Sequence, residues 1–313
     1  MEYFRIGQSG LKSTVLTFGT ALTIGTEHTS DSYANSLVDQ AWRLGIRSFD
    51  TSNNYGMGEA EKLVGKALGK YRRGEYIVAT KGSWPIGDSP YDRGLSRKHI
   101  LDAADSSLAR LGLDYVDIYY AHRYDPEVPM EEIVRTFNSL IAQGKIRYWA
   151  TSEWPLEALE QCHEVCGRLQ LEKPIAEQFI YSFAIRKADT NGVKPFCRSR
   201  QVGMFGFSPI AQGLLTGKYK THIPADSRIA KKDAIGYDKT EQIYLQNKER
   251  IEQFIQLCET YRVKGSQLAL SWCIKNGVYP VIGASRPEQL EENVKALDIE
   301  YPDEIWTRLE RIG

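Results

Sequence analysis

Four side chains that can donate, accept or polarise a proton stand at the ends of three separate apolar, strand-like runs. Asp50 closes the run RSFD and Tyr55 lies five residues further along, whereas Lys81 follows YIVAT and His122 follows VDIYYA. A lysine ammonium beside a phenol favours the phenolate, so Lys81 is expected to lower the pKa of Tyr55. A neutral histidine can donate a hydrogen bond to a carbonyl oxygen. With Asp50 holding Lys81 charged, the group predicts a site that protonates a carbonyl oxygen while a nucleophile attacks its carbon.

Two other interpretations apply to single members of this group. A lysine–aspartate pair at a surface is often only a solvated ion pair, which stabilises a protein by less than about 1 kcal/mol. Lys81 can also be the Schiff-base lysine of an aldolase, although a neighbouring aspartate would keep its amine protonated. Because no side chain of the group is an obvious nucleophile, the hydride of a nicotinamide is the attacker that these residues favour.

The elements that must position these residues alternate along the chain, each short β-branched or aromatic run being followed by an amphipathic stretch. Ser96 is a typical helix start, and Gly45, Gly112, Gly144 and Gly277 are typical helix ends. Eight such repeats predict an α/β fold, a closed (β/α)8 TIM barrel, with an open doubly wound sheet as the alternative. The predicted strands are 15–19, 47–50, 76–80, 115–121, 147–151, 176–179, 203–207 and 281–282; the predicted helices are 32–44, 59–68, 97–111, 130–143, 156–169, 193–200, 266–276 and 288–297.

Three segments lie outside this repeat. Residues 2–13 predict a β-hairpin with Ser9 and Gly10 at its turn, which would cover the floor of the barrel. Residues 214–247 predict a long polar loop after the seventh strand, and loops of that length in a compact domain are usually functional. Tyr301 to Ile312 predicts a terminal helix. With no linker-like composition anywhere, residues 1–313 are expected to form one domain.

Composition excludes several classes of function. The 40 basic and 40 acidic residues give zero formal net charge, which argues against nucleic-acid binding and a polybasic membrane anchor. No apolar run of membrane-spanning length and no secretory signal is evident, so a cytoplasmic location is expected. The five cysteines fit reduced thiols. Cys162, His163 and Cys166 resemble a metal cluster only briefly, and are interpreted as helix thiols beside an exposed or half-buried histidine; no metal site is predicted.

Dinucleotide-binding signals are absent in their usual form. Gly56-Met57-Gly58 opens a string that ends in Glu61 rather than in the glycine of a G-x-G-x-x-G turn, and no phosphate loop is present. A nicotinamide dinucleotide would therefore bind to the loops after strands seven and eight, where barrels often hold phosphate. The segments SPIAQGLLTGK (208–218) and IGASRPEQLEEN (282–293) offer backbone donors, cations and a helix N-terminus, although ordinary loop and capping chemistry explains them equally. Arg286 favours NADP, because its guanidinium matches a phosphate monoester.

Long motifs give the chain a resemblance to a known family. The strings FDTSNNYGMGEAEKLVGKAL, VATKG, GLSRKHILDAADSSLARLGLDYVDIYYAHRYDP, TSEW, GFSPIAQGLLTGKY and VIGASRPEQLEEN are similar to those of the aldo-keto reductase superfamily from end to end. The branch that contains the β subunits of voltage-gated potassium channels looks nearest. The resemblance implies a TIM barrel that reduces small carbonyl substrates with NADP(H).

The resemblance also implies roles for individual residues. Asp50, Tyr55, Lys81 and His122 match the catalytic tetrad of the family, with Tyr55 as the general acid and base. The substrate contacts would come from Ala21, Tyr55, Trp84 and His122. Ser152 and Gln178 match the groups that hold the nicotinamide carboxamide, and Phe207 takes the place of the stacking aromatic. The full set of cofactor contacts implied is Thr20, Asp50, Ser152, Gln178, Phe207, Ser208, Pro209, Ile210, Gln212, Gly213, Lys218, Arg228, Gly283, Ser285, Arg286, Gln289, Glu292 and Asn293.

Three positions bear on function because they differ among family members. Ala21 stands where many members carry tryptophan, and Glu153 stands where asparagine or arginine often follows the serine. Some channel β subunits carry asparagine at the position of His122, so the histidine favours real reductase activity. A regulatory NADP-binding protein with slow chemistry is the alternative function. A homo-oligomer is compatible with the resemblance, since the nearest-looking relatives form tetramers and other members are monomers.

Overall fold

The computed structural model describes residues 1–219 and 240–312, and these fold around a closed barrel of eight parallel strands. The predicted (β/α)8 barrel is confirmed, as is the antiparallel N-terminal hairpin. Around the barrel the strands follow the order β10, β3, β4, β5, β6, β7, β8, β9. The hairpin strands are β1 (Tyr3–Arg5) and β2 (Lys12–Thr14); the barrel strands are β3 (Thr17–Gly19), β4 (Ser48–Asp50), β5 (Ile77–Gly82), β6 (Val116–Ala121), β7 (Ile146–Ser152), β8 (Ala176–Ile180), β9 (Gly203–Phe207) and β10 (Tyr279–Ile282).

Helices surround the barrel, and the longer ones form where apolar residues recur at three- and four-residue spacing. Ser96 caps its helix by accepting a hydrogen bond from the backbone N–H of His99, and Gly112 ends the same helix in the left-handed conformation. In the described residues the helices are α1 (Asp31–Arg43), α2 (Glu59–Leu68), α3 (Arg97–Leu111), α4 (Met130–Ala142), α5 (Leu156–Leu169), α6 (Lys187–Thr190), α7 (Val193–Arg200), α8 (Thr240–Tyr261), α9 (Gly265–Lys275), α10 (Pro287–Val294) and α11 (Asp303–Ile312).

The barrel strands are buried on both faces, which explains their nearly continuous apolar sequences. One apolar cluster, which includes Ile77, Ile118 and Phe205, fills the barrel itself. A larger cluster, which includes Leu37 and Phe137, lies among the surrounding helices. No described helix has the length and apolarity that crossing a bilayer requires.

The N-terminal hairpin closes the barrel floor, the end at which the strands begin. Ile6 is fully buried within the inner cluster, and the ring of Phe4 stacks on Tyr279, the first residue of β10. Gly7 lies so close to the backbone of Gln201 that a Cβ atom would meet its carbonyl oxygen at 2.4 Å. The floor-covering role predicted for residues 2–13 is confirmed.

The eight predicted strands agree with the structure to within two residues at each end, and the predicted helices agree closely. The predicted loop 214–247 is wrong at both ends, because a 3-10 helix covers Ala211–Thr216 and α8 already begins at Thr240. Residues 220–239 lie outside the described residues. Neither the short helix α6 nor the long helix α8 was among the predicted helices.

The cysteine–histidine segment is helical, as predicted, since it lies within α5. All five cysteines are free and buried. The prediction of an exposed or half-buried His163 is wrong, because its ring packs edge-on against Phe196 and is buried. Burial lowers the pKa of His163 to about 4, with further lowering by the charges of Lys173 and Arg200. The described residues contain no group of three or more metal-ligating side chains.

Candidate active site

Three neighbouring strands bring the four predicted residues to the barrel mouth, the end at which the strands finish. Asp50 is the last residue of β4, Lys81 is the penultimate residue of β5, and His122 directly follows β6. Asp50 and Lys81 therefore lie inside their strands rather than just past them. Tyr55 opens a 3-10 turn on the loop after β4. Because β4, β5 and β6 are adjacent in the sheet, their side chains converge on one site.

Lys81 is the centre of this group. Its side chain is fully buried, and its ammonium donates to the Asp50 carboxylate, to the Thr51 carbonyl oxygen at 2.8 Å and to the Tyr55 hydroxyl at 3.4 Å. These three acceptors match the three N–H donors of the ammonium. Burial alone would lower the pKa of Lys81, but the charges of Asp50 and Tyr55 outweigh burial and raise it. Lys81 is consequently charged at neutral pH.

The expected lowering of the Tyr55 pKa is not found in the described structure. Burial raises the pKa of Tyr55 and is the largest influence on it, while the charge of Lys81 and its hydrogen bond act in the opposite direction. The lysine therefore has the predicted effect, but desolvation of the phenolate outweighs it. Tyr55 carries its proton at neutral pH, which is the form that can act as an acid.

His122 is held neutral. Burial lowers its pKa well below the usual range, and the charges of Lys81 and Arg123 lower it further. The ring lies edge-on to Tyr55, with 6.1 Å between ring centroids, and edge-on to Trp84, with 6.3 Å between centroids. The hydroxyl oxygen of Ser52 lies 3.1 Å from Nδ1 of His122. This contact ties one nitrogen of the imidazole to the loop that carries Tyr55.

The turn that presents Tyr55 depends on a glycine. Gly56 adopts a φ of 55°, and a Cβ atom at this position would lie 1.8 Å from the carbonyl oxygen of Gly25. A side chain there would combine an unfavourable backbone conformation with a severe clash. The sequence Tyr55-Gly56 thus fixes the tyrosine against the segment that follows β3.

A cavity of about 1180 Å³ opens at the mouth beside these residues. Asp50, Tyr55 and His122 line it, while Lys81 lies buried behind them. The predicted substrate residues Ala21 and Trp84 line the same cavity. The cavity continues toward the loops after β9 and β10. Most of the predicted cofactor residues also line it, namely Ser152, Gln178, Phe207, Ser208, Pro209, Ile210, Gln212, Gly213, Lys218, Gly283, Ser285, Arg286, Gln289, Glu292 and Asn293.

One described residue of the predicted cofactor set, Thr20, is not in this lining. Thr20 is fully buried, and its hydroxyl donates to the carbonyl oxygen of Asp50 at 3.2 Å. It therefore packs behind Asp50, which lines the cavity. Arg228 lies outside the described residues. Their cofactor contacts stay predictions.

The part of the cavity next to the tetrad has its own hydrogen-bond network. Gln178 donates through Nε2 to the second oxygen of Asp50 at 3.0 Å. Ser152 accepts from Nη1 of Arg123 at 3.3 Å. Glu153, which differs from the residues usual in the family, adopts a φ of 56° and accepts a hydrogen bond from the backbone N–H of Ile180 at 2.5 Å. Its carboxylate thus fixes the end of β8.

The far part of the cavity is suited to phosphate groups. The loop after β9 has left-handed conformations at Ser208, Gln212 and Gly213, and Lys218 lines the cavity just beyond it. After β10, Arg286 is the N-cap residue of α10, whose N-terminal dipole favours anions. A cavity of this volume with cations and a helix N-terminus at one end can hold a ligand that carries phosphate groups.

The structure adds residues to the site that the sequence analysis did not single out. Arg123 and Glu27 line the cavity, and the first turns of α8 contribute Gln242 and Gln246. A sequence signal for α8 was available, since Ile251, Phe254, Ile255 and Cys258 recur at helical spacing. The signal for Arg123 was weak, since it consists only of the position directly after His122.

The fold is a TIM barrel whose mouth brings Asp50, Tyr55, Lys81 and His122 together. The sequence matches the aldo/keto reductase family over residues 15–313. The chain therefore belongs to the aldo/keto reductase family. It is 39% identical over 307 residues to a putative voltage-gated potassium channel subunit beta of Schizosaccharomyces pombe, covering 96% of this chain and 88% of the relative. It is 37% identical over 312 residues to a probable voltage-gated potassium channel subunit beta of Arabidopsis thaliana, covering 96% and 92% of the two chains. A protein of the same description from Oryza sativa subsp. japonica is 37% identical over 311 residues, with the same coverage.

Proposed function

We propose that this protein reduces aldehydes or ketones to alcohols with NADPH. The observation that supports this most strongly is the arrangement of Lys81, which donates to both Asp50 and Tyr55 behind a cavity that His122 also lines. A protonated phenol, a buried ammonium and a neutral imidazole are the groups that carbonyl reduction needs at the oxygen atom.

The cofactor would lie along the cavity. NADPH would supply a hydride when bound, and Ser152, Gln178 and Phe207 would hold its nicotinamide. The loop from Ser208 to Lys218 would hold the pyrophosphate. Arg286 and the N-terminus of α10 would hold the 2′-phosphate. Glu292, in the same region, accepts hydrogen bonds from Lys264 at 2.5 Å and Ser266 at 2.6 Å, so its negative charge is already compensated.

The protein side of the reaction is proton transfer and charge stabilisation. His122 donates a hydrogen bond to the substrate oxygen and polarises the carbonyl, because its low pKa keeps it neutral. Tyr55 gives its proton to that oxygen as negative charge develops there. The Lys81 ammonium stabilises the resulting phenolate, and Asp50 keeps the ammonium oriented.

The test is the Tyr55→Phe variant. Removal of the acidic proton is expected to lower kcat by about 100- to 10,000-fold, a typical contribution of a positioned general acid. NADPH affinity should change less than twofold, because the ring is kept. The measurements are NADPH oxidation with a panel of aldehydes and equilibrium binding of NADPH by fluorescence. Tyr91→Phe, at an exposed tyrosine, is the matched control. Undiminished turnover by Tyr55→Phe would contradict the proposal.

A second candidate function follows from the descriptions of the relatives as channel subunits. A regulatory subunit with NADPH in its barrel would bind the cofactor tightly and turn it over slowly or not at all. The steady-state assay separates the two functions. Tight NADPH binding without carbonyl-dependent oxidation at saturating substrate supports the regulatory function, whereas carbonyl-dependent turnover supports the reductase.

A further inference from the structure

Arg123 takes no part in the proposed proton transfer, although it lines the same cavity. It directly follows His122, and its side chain is half-buried. Nη1 donates to the carbonyl oxygen of His122 at 2.6 Å and to the hydroxyl oxygen of Ser152 at 3.3 Å. The guanidinium carbon lies 5.2 Å from the centroid of the Trp84 ring. These contacts hold a cation on the substrate side of the site.

The guanidinium has unused donor capacity. An arginine side chain has five N–H donors, and the two recorded bonds both involve Nη1. Among the described residues three donors, one on Nε and two on Nη2, therefore have no hydrogen-bond partner, and they have the fork geometry that binds a carboxylate or phosphate in a bidentate manner.

The acidic groups near Arg123 are engaged elsewhere. Among the described residues Arg123 forms no ion pair within 4 Å, and Asp50 is paired with Lys81. Glu153 accepts from the Ile180 backbone. Burial raises the pKa of Glu177 to about 8, so this carboxyl group is mostly uncharged at neutral pH. Lys81 is neutralised by Asp50, so Arg123 is left as a cation on the cavity wall that has no ion-pair partner within 4 Å among the described residues.

We propose that Arg123, supported by Trp84, forms an anion subsite, and that the substrates are short carbonyl compounds bearing a carboxylate or phosphate near the carbonyl. This inference rests on the proposed reductase function and specifies its substrate class. The Trp84 ring centroid is 6.3 Å from the His122 ring centroid and 5.2 Å from the guanidinium carbon, so Trp84 lies beside both the imidazole and the cation on the wall of one cavity.

The alternative role for Arg123 is purely positional. Its bonds to His122 and Ser152 can orient the histidine backbone and the serine hydroxyl without contacting a substrate. The two roles differ in one measurable respect. A positional residue affects charged and neutral substrates equally, whereas an anion subsite affects their ratio.

The experiment measures the ratio of kcat/KM for an anionic carbonyl compound to that for its neutral counterpart. One pair is glycolaldehyde phosphate and glycolaldehyde, and the other is succinic semialdehyde and butanal. Arg123→Met is expected to lower the ratio by about 10- to 100-fold in at least one pair, the usual effect of losing a charge-assisted contact. The pair that responds identifies phosphate or carboxylate as the recognised anion. Arg123→Lys should retain part of the wild-type preference for the anionic compound.

Arg72→Met is the matched control, because Arg72 is exposed on the loop that enters the barrel floor. It removes the same charge and should change the ratio less than twofold. An unchanged ratio in Arg123→Met, with both members of each pair falling together, would overturn the anion subsite in favour of the positional role. A large loss of NADPH affinity in Arg123→Met without a change in ratio would also overturn it.

If the proposed reductase function is wrong, the result is different: the wild-type protein does not oxidise NADPH with any of the four carbonyl compounds. The subsite is then tested by isothermal titration of the NADP⁺-loaded protein with 2-phosphoglycolate and with succinate. Binding of either anion that is weakened at least tenfold by Arg123→Met supports the subsite. Absence of binding to the wild-type protein refutes it.

Discussion

At the scale of single residues, the barrel mouth holds two basic groups in opposite protonation states. The Asp50 carboxylate keeps Lys81 charged despite full burial, whereas His122 has no carboxylate partner recorded among the described residues and stays neutral. Burial acts against the charged form of both, but a lysine has a much higher ordinary pKa than a histidine, and only Lys81 has a carboxylate that offsets its burial. A charged ammonium and a neutral hydrogen-bond donor can therefore lie side by side at the barrel mouth.

A buried carboxyl group next to this site leads to a prediction about pH. Glu177 on β8 is fully buried, and burial raises its pKa from the ordinary 4.5 to about 8. At pH values between 4.5 and about 8 the carboxyl group is ionised in the unfolded chain and protonated in the folded chain. The free energy of unfolding therefore falls as the pH rises through this range. Glu177→Gln should remove this loss, which is about 1.4 kcal/mol per pH unit at most.

The measurement for Glu177 is urea unfolding of both proteins from pH 5 to pH 8. The variant should gain stability over the wild-type protein progressively with pH, and the two should be nearly equal at pH 5. Glu160→Gln, at an exposed position on α5, should show no such trend. A stability difference that does not depend on pH would contradict the proposed protonation of Glu177.

At the scale of elements, the turn after β4 links backbone conformation to chemistry. Gly56→Ala is expected to destabilise the protein by about 2 kcal/mol or more, because a Cβ atom would clash with Gly25. Since Tyr55 precedes this turn, kcat should fall as well, even at temperatures where the variant is folded. Thermal unfolding followed by circular dichroism and steady-state kinetics check both effects.

Gly74→Ala is the control for this change, because a Cβ atom at Gly74 would have no heavy atom within 4 Å. Its stability should stay within about 0.5 kcal/mol of wild type. If Gly56→Ala matches Gly74→Ala in both stability and kcat, the turn does not position Tyr55.

The elements also explain how much of the site the sequence could predict. Strand ends are readable from β-branched runs, so the convergence of Asp50, Lys81 and His122 was predictable. The direction in which the pKa of Tyr55 shifts was not predictable. It depends on how deeply the folded loops bury the phenol, and residue spacing does not reveal this. Arg123 was overlooked for a related reason, since a lone arginine after a strand is ordinary until the cavity around it is known.

At the scale of the whole molecule, the hairpin and the site occupy opposite ends of the barrel. Phe4→Ala removes the ring that stacks on Tyr279 at the floor and should destabilise the protein by about 2 kcal/mol, less than for a fully buried phenylalanine. Below the unfolding transition kcat should match wild type, because the tetrad lies at the mouth. Urea unfolding and steady-state kinetics test the two statements separately.

Tyr3→Ala is the matched control for the hairpin, since Tyr3 is 57% exposed. It should be nearly neutral in stability. A drop in kcat for Phe4→Ala under conditions where the protein is fully folded would mean that the two ends of the barrel are coupled.

The seating of the first residues on the barrel floor has a practical consequence. Met1 lies against Gly45, just before β4 begins, and its side chain is 38% exposed. An affinity tag, a fluorescent protein or a surface tether attached there extends away from the opening through which ligands enter. Immobilised through this terminus, the protein would present its binding cavity to the solution, ready for a biosensor measurement of small molecules.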